Sequence, residues 1–197
     1  MQTNRLVIIG ALLATAFAAA TDDKPALSKS PMSSDQIEVY RAFLSSYTNG
    51  NKSPHLNLAK RTSALDLTDE KEGACLKGID LDGAAHPESV VHEFDPKASL
   101  RENITVVDTD EQGRVIRKND PSQTMRQGAP VNQAVDRAFA AGLLTLSEVA
   151  FDKTRQYAVM KFSFVCGGLC GHGSTVVFQK RRGQWKELNR DCGGWIS

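Results

Sequence analysis

The chain has 197 residues, 41% hydrophobic and 24% charged, with 24 Lys+Arg against 23 Asp+Glu for a formal net charge of +1. Such a composition belongs to a folded, core-forming protein and excludes a disordered tail. The near-neutral balance gives no field to steer nucleic acid or an anionic membrane, and the short run Lys180-Arg181-Arg182 falls where a hairpin turn is expected, so no nucleic-acid partner is predicted.

Residues 1–20 read as a signal peptide. Arg5 precedes the apolar stretch 6–20 (LVIIGALLATAFAAA), and Ala18 and Ala20 have the spacing of an A-x-A cleavage site before Thr21. The stretch is shorter than the roughly twenty residues of a spanning helix, and no later segment is apolar enough to replace it. No stable membrane span is therefore expected after cleavage, and the location is secreted or periplasmic. Residues 21–32, polar and containing Pro25 and Pro31, are expected to be a flexible tether. Residues 33–197 are expected to form a single α+β domain, long enough to bury a core.

A helix is predicted over residues 34–48. Ser33 and Gln36 have capping-box spacing, and Ile37, Tyr40, Phe43, Leu44 and Tyr47 recur at helical intervals before Asn49-Gly50-Asn51. Residues 56–68 suggest one or two short strands. Residues 87–94 suggest a short helix with Pro87 in its first turn. His86 and His92 lack the i, i+4 spacing of a zinc-binding pair and are expected at the surface.

Residues 103–108 and 114–118 read as two strands around a turn. Asp108, Asp110 and Gly113 imitate the start of a calcium loop, but Asn119 occupies the place of the required Glu, so a hairpin turn is expected. Residues 119–130 read as a loop. Residues 131–142 form a predicted helix with Val131, Val135, Ala138 and Phe139 on one side and Gly142 as its stop signal.

The last quarter alternates most regularly. Ala158, Met160, Phe162 and Phe164 interleave with Tyr157, Val159, Lys161, Ser163 and Val165, and residues 174–180 and 184–189 flank Arg181-Arg182-Gly183. The expected class is α+β, with an antiparallel C-terminal β-meander packed by two or three helices and braced by disulfides.

Cys166 and Cys170 bracket Gly167-Gly168-Leu169, where glycines let the chain turn within disulfide range. Cys75 and Cys192 would then pair across the domain. Four cysteines permit three pairings, and spacing alone does not choose among them. In the competing reading Cys166, Cys170 and His172, with Cys192, ligate zinc, but one residue between Cys170 and His172 makes shared tetrahedral coordination awkward. The C-x3-C-G run also looks like the ligand loop of the dinuclear copper centre in cytochrome oxidase subunit II. That loop needs a histidine and a methionine where this chain has Ser174 and Val177.

The CGGLCGHG run, the Lys180-Arg181-Arg182-Gly183-Gln184-Trp185 hairpin and the terminal Trp195-Ile196-Ser197 together resemble C-terminal regions of uncharacterised secreted bacterial proteins. The resemblance covers about the last quarter of the chain. It implies an envelope location and no activity.

No G-x-S-x-G elbow surrounds any serine and no nucleophile–base pair is readable, which favours a non-catalytic binding or accessory module over an enzyme. The alternative is a metal or redox protein centred on the CGGLCGHG loop. His172, Trp185 and Trp195 are the candidate binding residues. No resident cofactor or metal is predicted, and the sequence specifies no ligand.

Overall fold

The computed structural model describes residues 25–50, 55–68, 70–81, 90–95, 100 and 102–197. The expected signal peptide, residues 21–24 of the expected tether, and His86 lie outside them.

Chain order begins with β1 (Ala26–Leu27), which lies inside the expected tether. Helix α1 (Ser34–Gly50) follows and opens on the predicted capping box: the Ser33 amide donates to Gln36 Oε1 at 2.9 Å, and the Gln36 amide to Ser33 Oγ at 3.2 Å. Its helical stripe is buried at Val39, Tyr40, Phe43 and Leu44. Next come β2 (Leu56–Ala59) and the short α2 (Glu70–Cys75). Val90–Val91, assigned to a helix by sequence, is instead β3, paired parallel with β1. Two β-branched residues in a two-residue ribbon leave no periodicity to read.

Strand β4 (Ile104–Val107) matches expectation, but the second predicted strand does not exist. Residues 109–118 form helix α3 (Thr109–Lys118), capped by Asp108, whose Oδ1 accepts from the Asp110 and Glu111 amides at 3.0 Å each. The acidic first turn and Arg117-Lys118 in the last turn complement the helix dipole. The expected loop 119–130 contains α4 (Pro121–Arg126), capped by Asp120 with Pro121 at its start.

Helix α5 (Val131–Ala141) leads into β5 (Leu143–Leu146), then β6 (Ala150–Phe151), β7 (Tyr157–Gly167), β8 (Cys170–Arg181), β9 (Gln184–Glu187) and β10 (Gly194–Ile196). The main sheet runs β10-β8-β7-β5-β2-β4, with β6 also paired to β7 and β9 to β8. It is antiparallel through the meander, whereas β2 pairs parallel with both β4 and β5. The chain is thus α+β with a mostly antiparallel sheet. Arg182 and Gly183, at φ 51° and 79°, make the expected turn between β8 and β9.

The largest core lies between α1 and one sheet face, where Leu58, Leu144, Leu146, Met160, Phe164, Val176 and Phe178 meet the α1 stripe. On the opposite face Val159 and Val177 pack with Cys75 and Cys192, and Ala59, Ile116 and Leu143 form a third cluster. Helix α5 corrects another expectation. Its buried side is Ala134, Ala138 and Ala141, while Val131, Val135 and Phe139 face outward. The alanines allow close approach to the sheet, which the larger side chains would prevent.

Gly171-His172-Gly173, expected in a loop, is strand backbone in β8. Gly173 pairs directly with Trp195 of β10, and the indole lies across both glycines. A Cβ at Gly173 would stand 2.5 Å from Trp195 Nε1 and 2.6 Å from the Phe162 carbonyl oxygen. An aromatic ring thus supplies the packing that the glycines lack. Gly173→Ala is expected to lose about 1–3 kcal/mol in urea unfolding, because backbone as well as indole must move. An unchanged midpoint and indole fluorescence would show that this packing is dispensable.

Candidate functional site

The β7–β8 hairpin closes on Gly167-Gly168-Leu169, and Cys166 and Cys170 are joined there, with Cα atoms 5.1 Å apart. Cys75 and Cys192 form the second disulfide, so no cysteine is free. In this state the sulfurs offer no thiolate to a metal. Among the described residues no group of three or more His, Cys, Asp or Glu side chains is placed to hold a metal ion.

Asp120 holds the hairpin tip. One carboxylate oxygen caps α4 through the Ser122 and Gln123 amides, and the other accepts from the Gly168 amide at 2.8 Å. The Gly168 bond, together with the cap, keeps the Asp120 carboxyl below the usual carboxylate range against a smaller opposing effect of burial.

Beside this tip lies an open cleft of about 460 Å³, within the span of small-molecule sites. Phe164, His172 and the Cys166–Cys170 bridge line it from the sheet, Val135 and Phe139 from α5, and Leu169 and Ile196 from the hairpin tip and β10. An aromatic series runs through it: Phe139 stacks on Phe164 at 5.9 Å, Phe164 meets His172 at 5.6 Å, and His172 stacks with Tyr47 at 6.0 Å. Among the described residues, none of the side chains lining the cleft is charged.

His172 is its principal polar side chain. Nε2 lies 3.2 Å from the Tyr47 hydroxyl. Burial pushes the Tyr47 phenol up to about 12, so it stays protonated, and burial lowers the His172 pKa, so the imidazole is neutral at neutral pH. No buried polar side-chain atom among the described residues lacks a partner, so Nδ1 meets solvent. It is a donor if Tyr47 donates to Nε2, and an acceptor in the other tautomer.

The other two candidates are elsewhere. Trp185 is core: it is 5% exposed, packs on Phe151 at 5.6 Å, and donates from Nε1 to Asp35 at 3.4 Å. Lys180 donates to the same Asp35 oxygen at 2.7 Å. Trp195, 44% exposed, lies on the reverse sheet face over Gly173, because alternate residues of β8 point to opposite sides. The sequence therefore identifies His172 and the disulfide but misses Val135, Phe139 and Ile196. Their available signal is an apolar stripe on residues 131–139 beside an alanine stripe that already suffices for packing.

His92, expected at the surface, is mostly buried. Its ring Nδ1 lies 2.9 Å from Glu148 Oε2, and its amide donates to Glu148 Oε1 at 2.8 Å. Thr62 Oγ1 and Gln36 Nε2 donate to the same carboxylate. These bonds join α1, β3 and the segments around residues 62 and 148. The contact reads as bracing between these segments. A polar cleft of about 480 Å³ lies beyond the carboxyl ends of β2 and β4, but its Lys60 and Arg61 already pair with Glu93 at 3.2 and 2.8 Å.

Comparison with protein-family models, curated proteins and solved structures gives no match.

The lowered His172 pKa fixes a sign. Below the ordinary value of about 6.5 the unfolded chain binds the proton more readily, so stability falls with pH until the folded value is passed. Carboxylates with lowered pKa act mainly below about pH 5, where they begin to bind protons in the unfolded chain.

 Asp35, Asp120 and Asp152 are such groups. Between about pH 7.5 and about pH 5, wild type should therefore lose more stability than His172→Gln in urea titrations. Equal losses in the two proteins would mean that His172 is not desolvated.

Proposed function

We propose that the protein is an exported, non-catalytic binding module that takes an apolar portion of its ligand or partner into the cleft beside the Cys166–Cys170 hairpin tip. One observation carries this reading. Val131 is 65% exposed, Phe139 49%, Leu169 81% and Ile196 90%, and three of these four side chains converge on the same cleft. Exposed apolar side chains are ordinary when scattered, but contiguous ones around a concavity mark interaction sites. His172 would add a single directional hydrogen bond within an uncharged wall.

Export is supported by the signal-like residues 1–20 and by two disulfides with no free thiol, the usage of an oxidising compartment. No helix among the described residues is long and apolar enough to cross a membrane. The resemblance of the C-terminal region to secreted bacterial proteins agrees with that location.

A photoreactive benzoylphenylalanine at Leu169 or Ile196 should give discrete crosslinked products in extracts of producing cells. Phe139→Asp in the same protein should abolish them, and the same label at Lys186 on β9 should not produce them. Products that are absent, or equally abundant from Lys186, would reject the cleft as the binding site.

A further inference from the structure

The two disulfides differ in loop length and in the access of one of their sulfurs. Cys75 and Cys192 are 117 residues apart and only 7% and 3% exposed, within an apolar cluster that includes Val159, Val177, Leu67 and Leu76. Opening that bridge returns to the unfolded chain the freedom of a long loop, so its reduction is strongly coupled to unfolding. Cys166 and Cys170 are four residues apart, and their bridge lines the open cleft. A ring this small restricts the unfolded chain least, so its reduction is coupled least to global stability.

The surroundings also accommodate the reduced form. The β7–β8 ladder pairs continuously from Tyr157↔Gln179 to Val165↔Gly171 without the bridge, and Asp120 continues to hold the Gly168 amide. Cys166 Sγ lies 3.2 Å from the Cys170 carbonyl oxygen, an acceptor already placed for a Cys166 S–H. Cys170 is the more exposed of the two, whereas Cys166 is 1% exposed. Attack is therefore directed to Cys170.

We infer that Cys166–Cys170 is a thiol–disulfide exchange site, opened by a dithiol partner while the fold remains intact. A partner thiolate attacks Cys170 Sγ, forming a mixed disulfide as the Cys166–Cys170 bond breaks. Cys166 leaves as a thiolate and takes a proton from solvent, and the resulting S–H donates a hydrogen bond to the Cys170 carbonyl oxygen. The partner's second thiolate then attacks its own bridged sulfur, closing the partner's disulfide and releasing Cys170 as a thiolate that is protonated in turn. Two electrons pass from the partner dithiol to this protein, and oxidation reverses the sequence. Opening removes the cross-link beside Leu169 while the ladder and Asp120 keep the tip in place, so the redox state would change one wall of the proposed binding surface from a disulfide to two thiols. The chemistry itself does not require that surface to bind anything, since a small dithiol can reach the same sulfurs.

The test is graded reduction of the native, oxidised protein with dithiothreitol, followed by iodoacetamide trapping and peptide mass mapping. Cys166 and Cys170 should become alkylated at a dithiothreitol concentration about tenfold or more below that needed for Cys75 and Cys192. Far-UV circular dichroism should not change at that point. Reduction of both bridges together, of Cys75–Cys192 first, or of Cys166–Cys170 only in denaturant would overturn the inference. The Cys166→Ser/Cys170→Ser double variant should fold with wild-type circular dichroism, and its failure to do so would equally overturn it. Crosslinking from Leu169 reads the cleft separately, so the binding proposal and the exchange proposal can fail independently.

Discussion

The register of β7 against β8 determines both sides of the molecule. Side chains alternate along each strand, so Ala158, Met160, Phe162 and Phe164 on β7 share a face with His172, Val176 and Phe178 on β8. That face receives α1. The intervening residues, Val159 and Val177 among them, meet the Cys75–Cys192 cluster on the other face. A slip of one residue would carry the whole apolar set to the wrong side. The ends of the hairpin hold this register. Asp152 Oδ1 accepts from the Gln156 and Tyr157 amides at 2.7 and 2.6 Å at the start of β7, and the Cys166–Cys170 bridge closes the opposite end.

Carboxylates do comparable work where the segments outside the ladder meet it. Asp120 binds both the start of α4 and the hairpin tip, so the wall and floor of the cleft share one anchor. Asp35, in the first turn of α1, accepts from Lys180 of β8 and fixes that helix to the meander. Glu148 gathers donors from α1, Thr62 and His92. Each carboxylate satisfies amides or charged groups that burial would otherwise leave unpaired, a condition more demanding than the strength of any one bond.

The parts of the fold legible in sequence are those in which a long pattern meets a single environment. Helix α1 has a capping box and several turns of apolar periodicity, and β7 has a full alternating run, so both are readable. Helix α3 is not, because its apolar residues are few and Val115-Ile116 looks like strand. Its signal was at the ends, in Asp108 followed by Glu111 and in the basic last turn. Strand β3 is too short for any pattern. The sequence left three disulfide pairings open, and the fold selects the one in which Cys166 and Cys170 close one turn, whereas the His92–Glu148 contact joins residues 56 positions apart and has no local signature. Trp185 and Trp195 show a further limit: composition identifies an aromatic residue, but only strand register decides whether it is core or surface.

Helix α5 shows how a small-residue packing face and an exposed apolar face can share one element. Ala134, Ala138 and Ala141 bring its backbone close to the sheet, and that contact is complete without the larger residues one step around the helix. Val131 buries little when the chain folds, Val135 is 36% exposed, and Phe139 is half exposed even though it stacks on Phe164. Apolar burial stabilises by about 25 cal/mol per Å² only where area leaves water, so these side chains contribute little to folding for their size. The same area becomes available when another apolar surface covers the cleft. The exposed area of Val131, with that of Phe139, Leu169 and Ile196, is therefore apolar surface that folding leaves in water.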